Sequence, residues 1–164
     1  MTDAQKIDQI EHSLRNYALR DIKLISRQDT LIASFILCSC FIEHISTFRY
    51  GMKKRLSEIE YVRFIDEYLN KSDSTRYDGK KLRYDLRNKL VHNYSLGDTY
   101  GLTKGFPNMH LKKMENLLVC LNLESFVADL EESLNQYIKD LKENRGDLKS
   151  LALSAFENVK IISF

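Results

Sequence analysis

Apolar residues recur at steps of three and four positions along most of the chain, a spacing that places them on one face of an α-helix. Near the N-terminus, for example, Ile7, Ile10, Leu14 and Ile22 follow this spacing. The pattern predicts long helices over residues 3–27, 31–50, 56–69, 79–95 and 123–144, and a shorter helix over 147–156.

The second predicted helix is apolar nearly all round, which indicates that it lies at the centre of the core. Its longest apolar stretch, Leu31 to Ile42, contains about a dozen residues and is followed by Glu43, whereas a membrane span needs roughly 20. The N-terminus is polar and has no secretory signal pattern. We therefore expect a cytoplasmic protein with no membrane segment.

The chain changes character after Ser95, where Gly97, Gly101, Gly105 and Pro107 follow within a dozen residues. Glycine and proline favour turns, and short apolar segments alternate with them up to residue 121. We predict a small loop or β-hairpin insertion around residues 97–121. The expected fold class is therefore mainly all-α, a bundle of four to five long helices in a single domain over residues 1–164.

The charge balance argues against a protein that binds nucleic acid through its overall charge. Its 25 Lys and Arg residues are balanced by 23 Asp and Glu residues, which leaves a net charge of +2. Any RNA contact must come from a local patch. Two basic clusters could form one, although a solvated surface is the better explanation because acidic residues balance them elsewhere: Arg49, Lys53, Lys54 and Arg55, and Arg76, Lys80, Lys81 and Arg83.

The three cysteines, Cys38, Cys40 and Cys120, have neither a disulfide spacing nor a metal-binding spacing. Residues two apart on a helix point roughly 200° away from each other, so Cys38 and Cys40 cannot bind one ion together. We predict no metal site and no cofactor.

The most informative stretch runs from Arg87 to Tyr94, near the end of the fourth predicted helix. One face of this helix is predicted to lie in the core, because leucines recur on it at steps of four: Leu82, Leu86 and Leu90. The remaining positions are polar: Lys81, Asp85, Asn88, Lys89 and His92. An arginine, always charged at neutral pH, beside a histidine, which exchanges protons near neutral pH, is a pair suited to cleaving phosphodiesters.

The Arg-Asn-x-x-x-His pattern on a helix of a small all-α protein resembles the HEPN superfamily (higher eukaryotes and prokaryotes nucleotide-binding). Arg87 and His92 fit its motif at a spacing of four, and Tyr94 extends the match to the Arg-x4-His-x-Tyr form of HEPN toxins paired with nucleotidyltransferase antitoxins. The resemblance implies a HEPN-like bundle and a homodimeric, metal-independent endoribonuclease, acting as a toxin or in phage defence. It also implies cleavage through the RNA 2′-hydroxyl.

Within that resemblance, each residue of the motif has an expected role. His92 is the candidate general acid and base, and Arg87 the residue that binds the scissile phosphate through a bidentate fork. Asn88, four residues before His92, is expected to orient either the imidazole or the phosphate.

Three further side chains complete the predicted site. Tyr94 is either the residue to which the antitoxin attaches an adenylyl group, or a side chain packed on the leucine face. Glu43, on the apolar helix, is expected to pair with Arg87 or His92, because a carboxylate there needs a partner. Tyr84 is a supporting residue that could stack a base.

Helix geometry raises a difficulty for this motif. An ideal α-helix separates Arg87 and His92 by about 140° around its axis, so the two side chains are not expected to share a face. A twofold axis would bring one subunit's arginine to the other subunit's histidine. We therefore predict that the site forms between two chains rather than within one.

Two other interpretations remain open. The chain is alternatively a non-catalytic, dimeric HEPN-like module that binds a nucleotide or a protein partner. Otherwise both motif residues are structural, with His92 at the negative end of the helix dipole and Arg87 paired with a carboxylate.

Overall fold

The computed structural model of the protein describes residues 1–51, 56–71, 76–115 and 117–159. This part of the chain contains six longer helices, one short 3-10 helix (Pro107–Met109) and two short strands. The first three helices are α1 (Asp3–Ser13, Leu14–Leu19 and Arg20–Ser26), α2 (Leu31–Tyr50) and α3 (Glu58–Phe64 and Ile65–Leu69). The remaining elements are α4 (Gly79–Leu82, Arg83–Leu90 and Val91–Asn93), β1 (Tyr100–Thr103), β2 (Val119–Asn122), α5 (Leu123–Lys142) and α6 (Leu148–Phe156). The predicted mainly all-α class is confirmed.

Local sequence explains where these helices begin and end. The side chains of Ser57, Asp78 and Asn122 accept hydrogen bonds from backbone N–H groups in the first turns of α3, α4 and α5. Such caps satisfy N–H groups that have no partner within the helix. Helix α2 ends at Gly51, whose φ of 67° is the left-handed conformation that glycine adopts without strain.

Helix α2 lies at the centre of the core, as its apolar pattern predicts. It packs against α1, α3, α4, α5 and α6, and Phe35, Ile42, Ile45 and Phe48 on it are fully buried. Its length and apolar composition also match those of a membrane span, but 50% of its apolar window is buried inside the protein. That burial is typical of the core helix of a soluble protein.

Three helices contain π-helical turns, in which each N–H bonds to the carbonyl five residues earlier rather than four. These turns cover Leu14–Leu19 in α1, Ile65–Leu69 in α3 and Arg83–Leu90 in α4. In α4, for example, the N–H of Val91 donates to the carbonyl of Leu86. Because a π turn holds more residues than an α turn, it brings side chains five positions apart onto the same face.

The predicted insertion around residues 97–121 is present, but its two strands do not form a hairpin. Strands β1 and β2 pair in parallel, with Tyr100 opposite Val119. The chain between them turns back in a short antiparallel pairing, where Met114 N–H donates to Leu118 O and Cys120 N–H donates to Lys112 O, each at 2.8 Å. The hairpin prediction thus holds only for this inner turn, because alternating apolar segments do not reveal strand direction.

A buried polar network joins the insertion to the helices. The hydroxyl of Tyr77 donates to Asp129 Oδ2 at 2.5 Å and lies 2.8 Å from His110 Nε2. The backbone N–H of Asn122 donates to His110 Nδ1 at 3.1 Å, so the proton of the neutral ring is on Nε2. Arg76 completes the network with an ion pair to Asp129 at 2.6 Å. His110 is therefore a structural residue.

Candidate active site

Arg87 and His92 lie on the same face of α4 and touch within one chain. Arg87 Nη1 is 2.7 Å from His92 Nε2. The expectation that the two side chains point to different faces is therefore wrong, because the π turns of Arg83–Leu90 hold more residues per turn than the ideal α-helix assumed for it. A site shared between two chains stays a prediction, and so does the homodimer itself.

Glu43 fixes the position of Arg87 from the neighbouring helix α2. Its Oε1 accepts a hydrogen bond from Arg87 Nε at 2.6 Å, and both side chains are largely shielded from solvent. The expected pairing of Glu43 is thus present. Of the five N–H groups of arginine, one binds Glu43 and one faces His92, and the other three make no hydrogen bond to any residue that the structure describes.

The contact defines the chemical state of His92. A guanidinium has no acceptor, so Arg87 donates, and His92 Nε2 accepts with its lone pair. The imidazole is therefore neutral in this arrangement and carries its proton on Nδ1. His92 is exposed at the end of α4, and an exposed neutral imidazole can take up a proton from a bound molecule.

Asn88 and Tyr84 are not joined to this group. Asn88 is half-buried, and its side chain makes no hydrogen bond with the part of the chain that the structure describes. The Tyr84 ring is 46% exposed, and the ammonium of Lys89 lies 5.4 Å from its centre. Their predicted supporting roles remain predictions.

Tyr94 projects into solvent at the end of α4. It is 76% exposed, so the alternative of packing against the leucine face is wrong. Its backbone has φ 52°, the left-handed conformation that ends many helices and that is usually adopted by glycine. This turn directs the chain away from α4 immediately after His92.

The cysteines near the site are unsuited to catalysis. Cys38 is buried and Cys40 reaches the surface, so the two point apart as predicted. Partial burial and the neighbouring Glu43 carboxylate raise the pKa of the Cys40 thiol, against the opposing effect of Arg87. The thiol is therefore protonated at neutral pH. Among the described residues no group of three or more His, Cys, Asp or Glu side chains is placed to hold a metal ion.

Arginines from both predicted basic clusters are already engaged by acidic side chains. The pairs are Arg49 with Glu67 at 2.9 Å, Arg76 with Asp129 at 2.6 Å and Arg83 with Glu58 at 3.1 Å. The other members of the first cluster, Lys53, Lys54 and Arg55, lie outside the described residues. Of the two interpretations, a solvated surface fits these paired arginines better than an RNA-binding patch.

Asp85 is a residue whose importance the sequence pattern did not reveal. Placed on the polar face by its helical position, it is fully buried instead. Its Oδ2 accepts hydrogen bonds from the N–H groups of Tyr100 at 2.9 Å and Thr99 at 3.3 Å. Burial raises the pKa of Asp85, although these two N–H groups oppose the shift. Through these two hydrogen bonds, Asp85 holds the segment at Thr99 and Tyr100 against α4.

Alanine at Gly97 is expected to disrupt the hydrogen bonds that Asp85 accepts from Thr99 and Tyr100. Its Cβ would lie 1.8 Å from Asp85 Oδ1 and 2.8 Å from Asp85 Cγ, so the carboxyl would have to leave its two N–H donors. We expect Gly97→Ala to lower the free energy of unfolding by about 1–3 kcal/mol in urea titrations.

A double-mutant cycle separates this clash from other effects of the substitution. In an Asp85→Ala background the clashing atoms are gone, so Gly97→Ala should cost much less than in the wild type. Equal costs in the two backgrounds would show that the clash with Asp85 is not the cause.

Comparison with known proteins adds no relative to this picture. No family model, no curated protein and no solved structure matches the chain. Fold and site define a mainly α-helical protein with an arginine–histidine pair held by a glutamate.

Proposed function

We propose that the protein is a metal-independent endoribonuclease of the HEPN type, acting as a toxin or phage-defence effector in the cytoplasm. The observation that carries the proposal is the direct contact between Arg87 and His92, with Glu43 holding the arginine from behind. A fixed cation next to a neutral imidazole supplies the two functions that RNA transesterification requires.

The chemistry uses the substrate's own nucleophile. His92 Nε2 removes the proton from the ribose 2′-hydroxyl, and the 2′ oxygen attacks the adjacent phosphorus. The bond between phosphorus and the 5′ oxygen breaks, which leaves a 2′,3′-cyclic phosphate and a 5′-hydroxyl end. Arg87 neutralises the charge that develops on the phosphate oxygens.

Substrate binding must first free the lone pair of His92. A phosphate is a stronger acceptor for the guanidinium than a neutral imidazole, so the bound phosphate draws Arg87 Nη1 away from His92 Nε2. Glu43 keeps the guanidinium in place through Nε during this exchange. In this view the Arg87–His92 contact is the resting state of the site.

A homodimer would complete the proton transfers. The attacking and leaving oxygens lie on opposite sides of phosphorus in an in-line displacement, so one imidazole cannot serve both at once. A second copy's His92, related by a twofold axis, would give its proton to the leaving 5′ oxygen. The exposure of His92 at the end of α4 is compatible with such an arrangement.

Tyr94 is the proposed point of control by a nucleotidyltransferase antitoxin. Its side chain is 76% exposed and lies two residues beyond His92, so its hydroxyl is accessible for adenylylation. A bulky anion attached there would repel the RNA phosphate from Arg87.

One observation favours the second candidate, a non-catalytic HEPN-like module that binds a nucleotide or a protein partner. The imidazole lone pair needed for proton abstraction already faces Arg87. If phosphate does not displace it, the site binds anions through the remaining N–H groups of Arg87 and performs no cleavage.

The proposed chemistry is tested with RNA that lacks a free nucleophile. Purified protein in EDTA is incubated with a mixed RNA pool and with the same pool carrying 2′-O-methyl groups. We expect cleavage of the first only, since methylation blocks the 2′ oxygen. Equal cleavage of both pools would contradict the mechanism, and binding of both without cleavage would support the second candidate.

Glu43 is expected to act as a positioning residue. Glu43→Ala frees Arg87 Nε and should lower the cleavage rate about tenfold, equivalent to the loss of one charge-assisted hydrogen bond. Glu43→Gln keeps an acceptor at the same place and should retain most of the activity. Single-turnover rates with saturating RNA measure both, and equal losses in the two variants would show that the charge rather than the position matters.

A further inference from the structure

A cleft of about 300 Å³ runs between α1 and α2 and takes no part in the chemistry described above. One wall is a stretch of α1 that includes a π turn, and the other is the solvent-facing side of α2. The lining residues are Ser13, Tyr17, Ala18, Asp21, Ile22, Leu37, Cys40, Phe41 and His44.

The cleft lies near the Arg87–Glu43 pair without including it, because two of its lining residues, Cys40 and His44, flank Glu43 in the sequence of α2. Cys40 lines the cleft, and the charges of Glu43 and Arg87 both act on the pKa of its thiol. Cys40 and Glu43 are three residues apart on α2, about 4.5 Å along the helix axis. The cleft therefore reaches to within about one helical turn of the glutamate that holds Arg87.

The walls of the cleft match a flat, apolar ring with polar edges. Tyr17 and His44 are half-buried and provide aromatic surface, the kind on which unpaired RNA bases stack, whereas Phe41 at the base of the lining is buried. Burial lowers the pKa of His44, so its imidazole is neutral at pH 7 and adds no positive charge. The walls therefore favour a nucleobase over a phosphate.

Asp21 gives the cleft a preference among bases. Its side chain is exposed and forms no hydrogen bond or ion pair with the described residues. A carboxylate repels phosphate and accepts N–H donors. Guanine presents two parallel donors, N1–H and the 2-amino group, which fit the two carboxylate oxygens; uracil presents one.

We propose that this cleft binds the base of the nucleotide whose phosphate Arg87 holds, and that Asp21 selects guanine by accepting its N1–H and 2-amino protons. The subsite rests on the proposed function for its orientation toward Arg87. Its base preference can nevertheless be measured without any cleavage.

Calorimetric titration with guanosine, inosine and uridine 3′-monophosphates tests the subsite. We expect the guanosine nucleotide to bind about tenfold more tightly than the uridine nucleotide, with inosine, which lacks the 2-amino group, between them. Asp21→Asn should remove this preference by weakening guanosine binding about tenfold. Asp8→Asn, at an exposed aspartate of the same helix outside the cleft, is the matched control and should change nothing.

Other outcomes overturn the subsite. It is wrong if Asp21→Asn binds all three nucleotides as the wild type does, or if Ala18→Trp, which fills the cleft, leaves their binding intact. It is also wrong if no nucleotide binds; a change of oligomeric state in Ala18→Trp would then show that a second copy occupies the cleft. RNA cleavage without base preference refutes the subsite alone, whereas guanine preference without cleavage refutes only the proposed nuclease.

Discussion

Alanine at His92 is expected to slow RNA cleavage by at least about a hundredfold, the usual contribution of a positioned general acid or base. The loss should appear in the single-turnover rate, because His92 is exposed and contributes little to binding a phosphate. Arg87→Ala is expected to reduce the rate by a similar factor and to weaken RNA binding as well, since it removes the only cation in contact with His92 among the described residues.

Two controls make this prediction specific. Asn93→Ala changes the exposed neighbour of His92, and Arg27→Ala removes an exposed arginine at the end of α1; both should cleave as the wild type does. Thermal unfolding should show His92→Ala as stable as the wild type, because its side chain is exposed. Full activity in His92→Ala would remove it from the mechanism.

Asp129→Ala is expected to lower the free energy of unfolding by about 2–3 kcal/mol, the largest effect on stability predicted for a polar residue here. The substitution leaves Tyr77, Arg76 and His110 without their shared acceptor. Urea titration at pH 7 measures the change. Glu132→Ala, an exposed acid on the same helix, should shift stability by less than about 0.5 kcal/mol.

The contribution of Asp129 should also depend on pH. Burial acts to raise the pKa of this carboxyl, but hydrogen bonds from His110 and Tyr77 and the charge of Arg76 outweigh it and lower the pKa. A lowered folded-state pKa stabilises the protein above the unfolded value of about 3.9 and loses that effect as the pH falls through the folded-state pKa. The difference between Asp129→Ala and wild type should therefore shrink in urea titrations at decreasing pH; a constant difference would contradict the assignment.

Apolar spacing predicted the helices well because it reports directly which face of each helix is buried. The central position of α2 and its end at Gly51 follow from residues visible in the sequence. The parallel pairing of β1 and β2 does not, because strand direction depends on how the intervening chain crosses, and no local pattern encodes that path.

The candidate site shows where helical-wheel reasoning fails. The motif residues and their partner Glu43 were identifiable from residue type and burial alone. Their mutual geometry was not, because the wheel assumes α-helical turns throughout, whereas Arg83–Leu90 is π-helical. Asp85 was misplaced for a different reason: a wheel describes one helix and cannot predict that the loop at Gly97 covers a polar position.

The proposed activity is cleavage of RNA by Arg87 and His92 together, without a metal. The most direct measurement incubates wild type, Arg87→Ala and His92→Ala with mixed RNA in EDTA and identifies the new 3′ ends. We predict 2′,3′-cyclic phosphate ends from the wild type in chelator and almost none from either variant. Equal cleavage by all three proteins, or cleavage that EDTA abolishes, would contradict the claim.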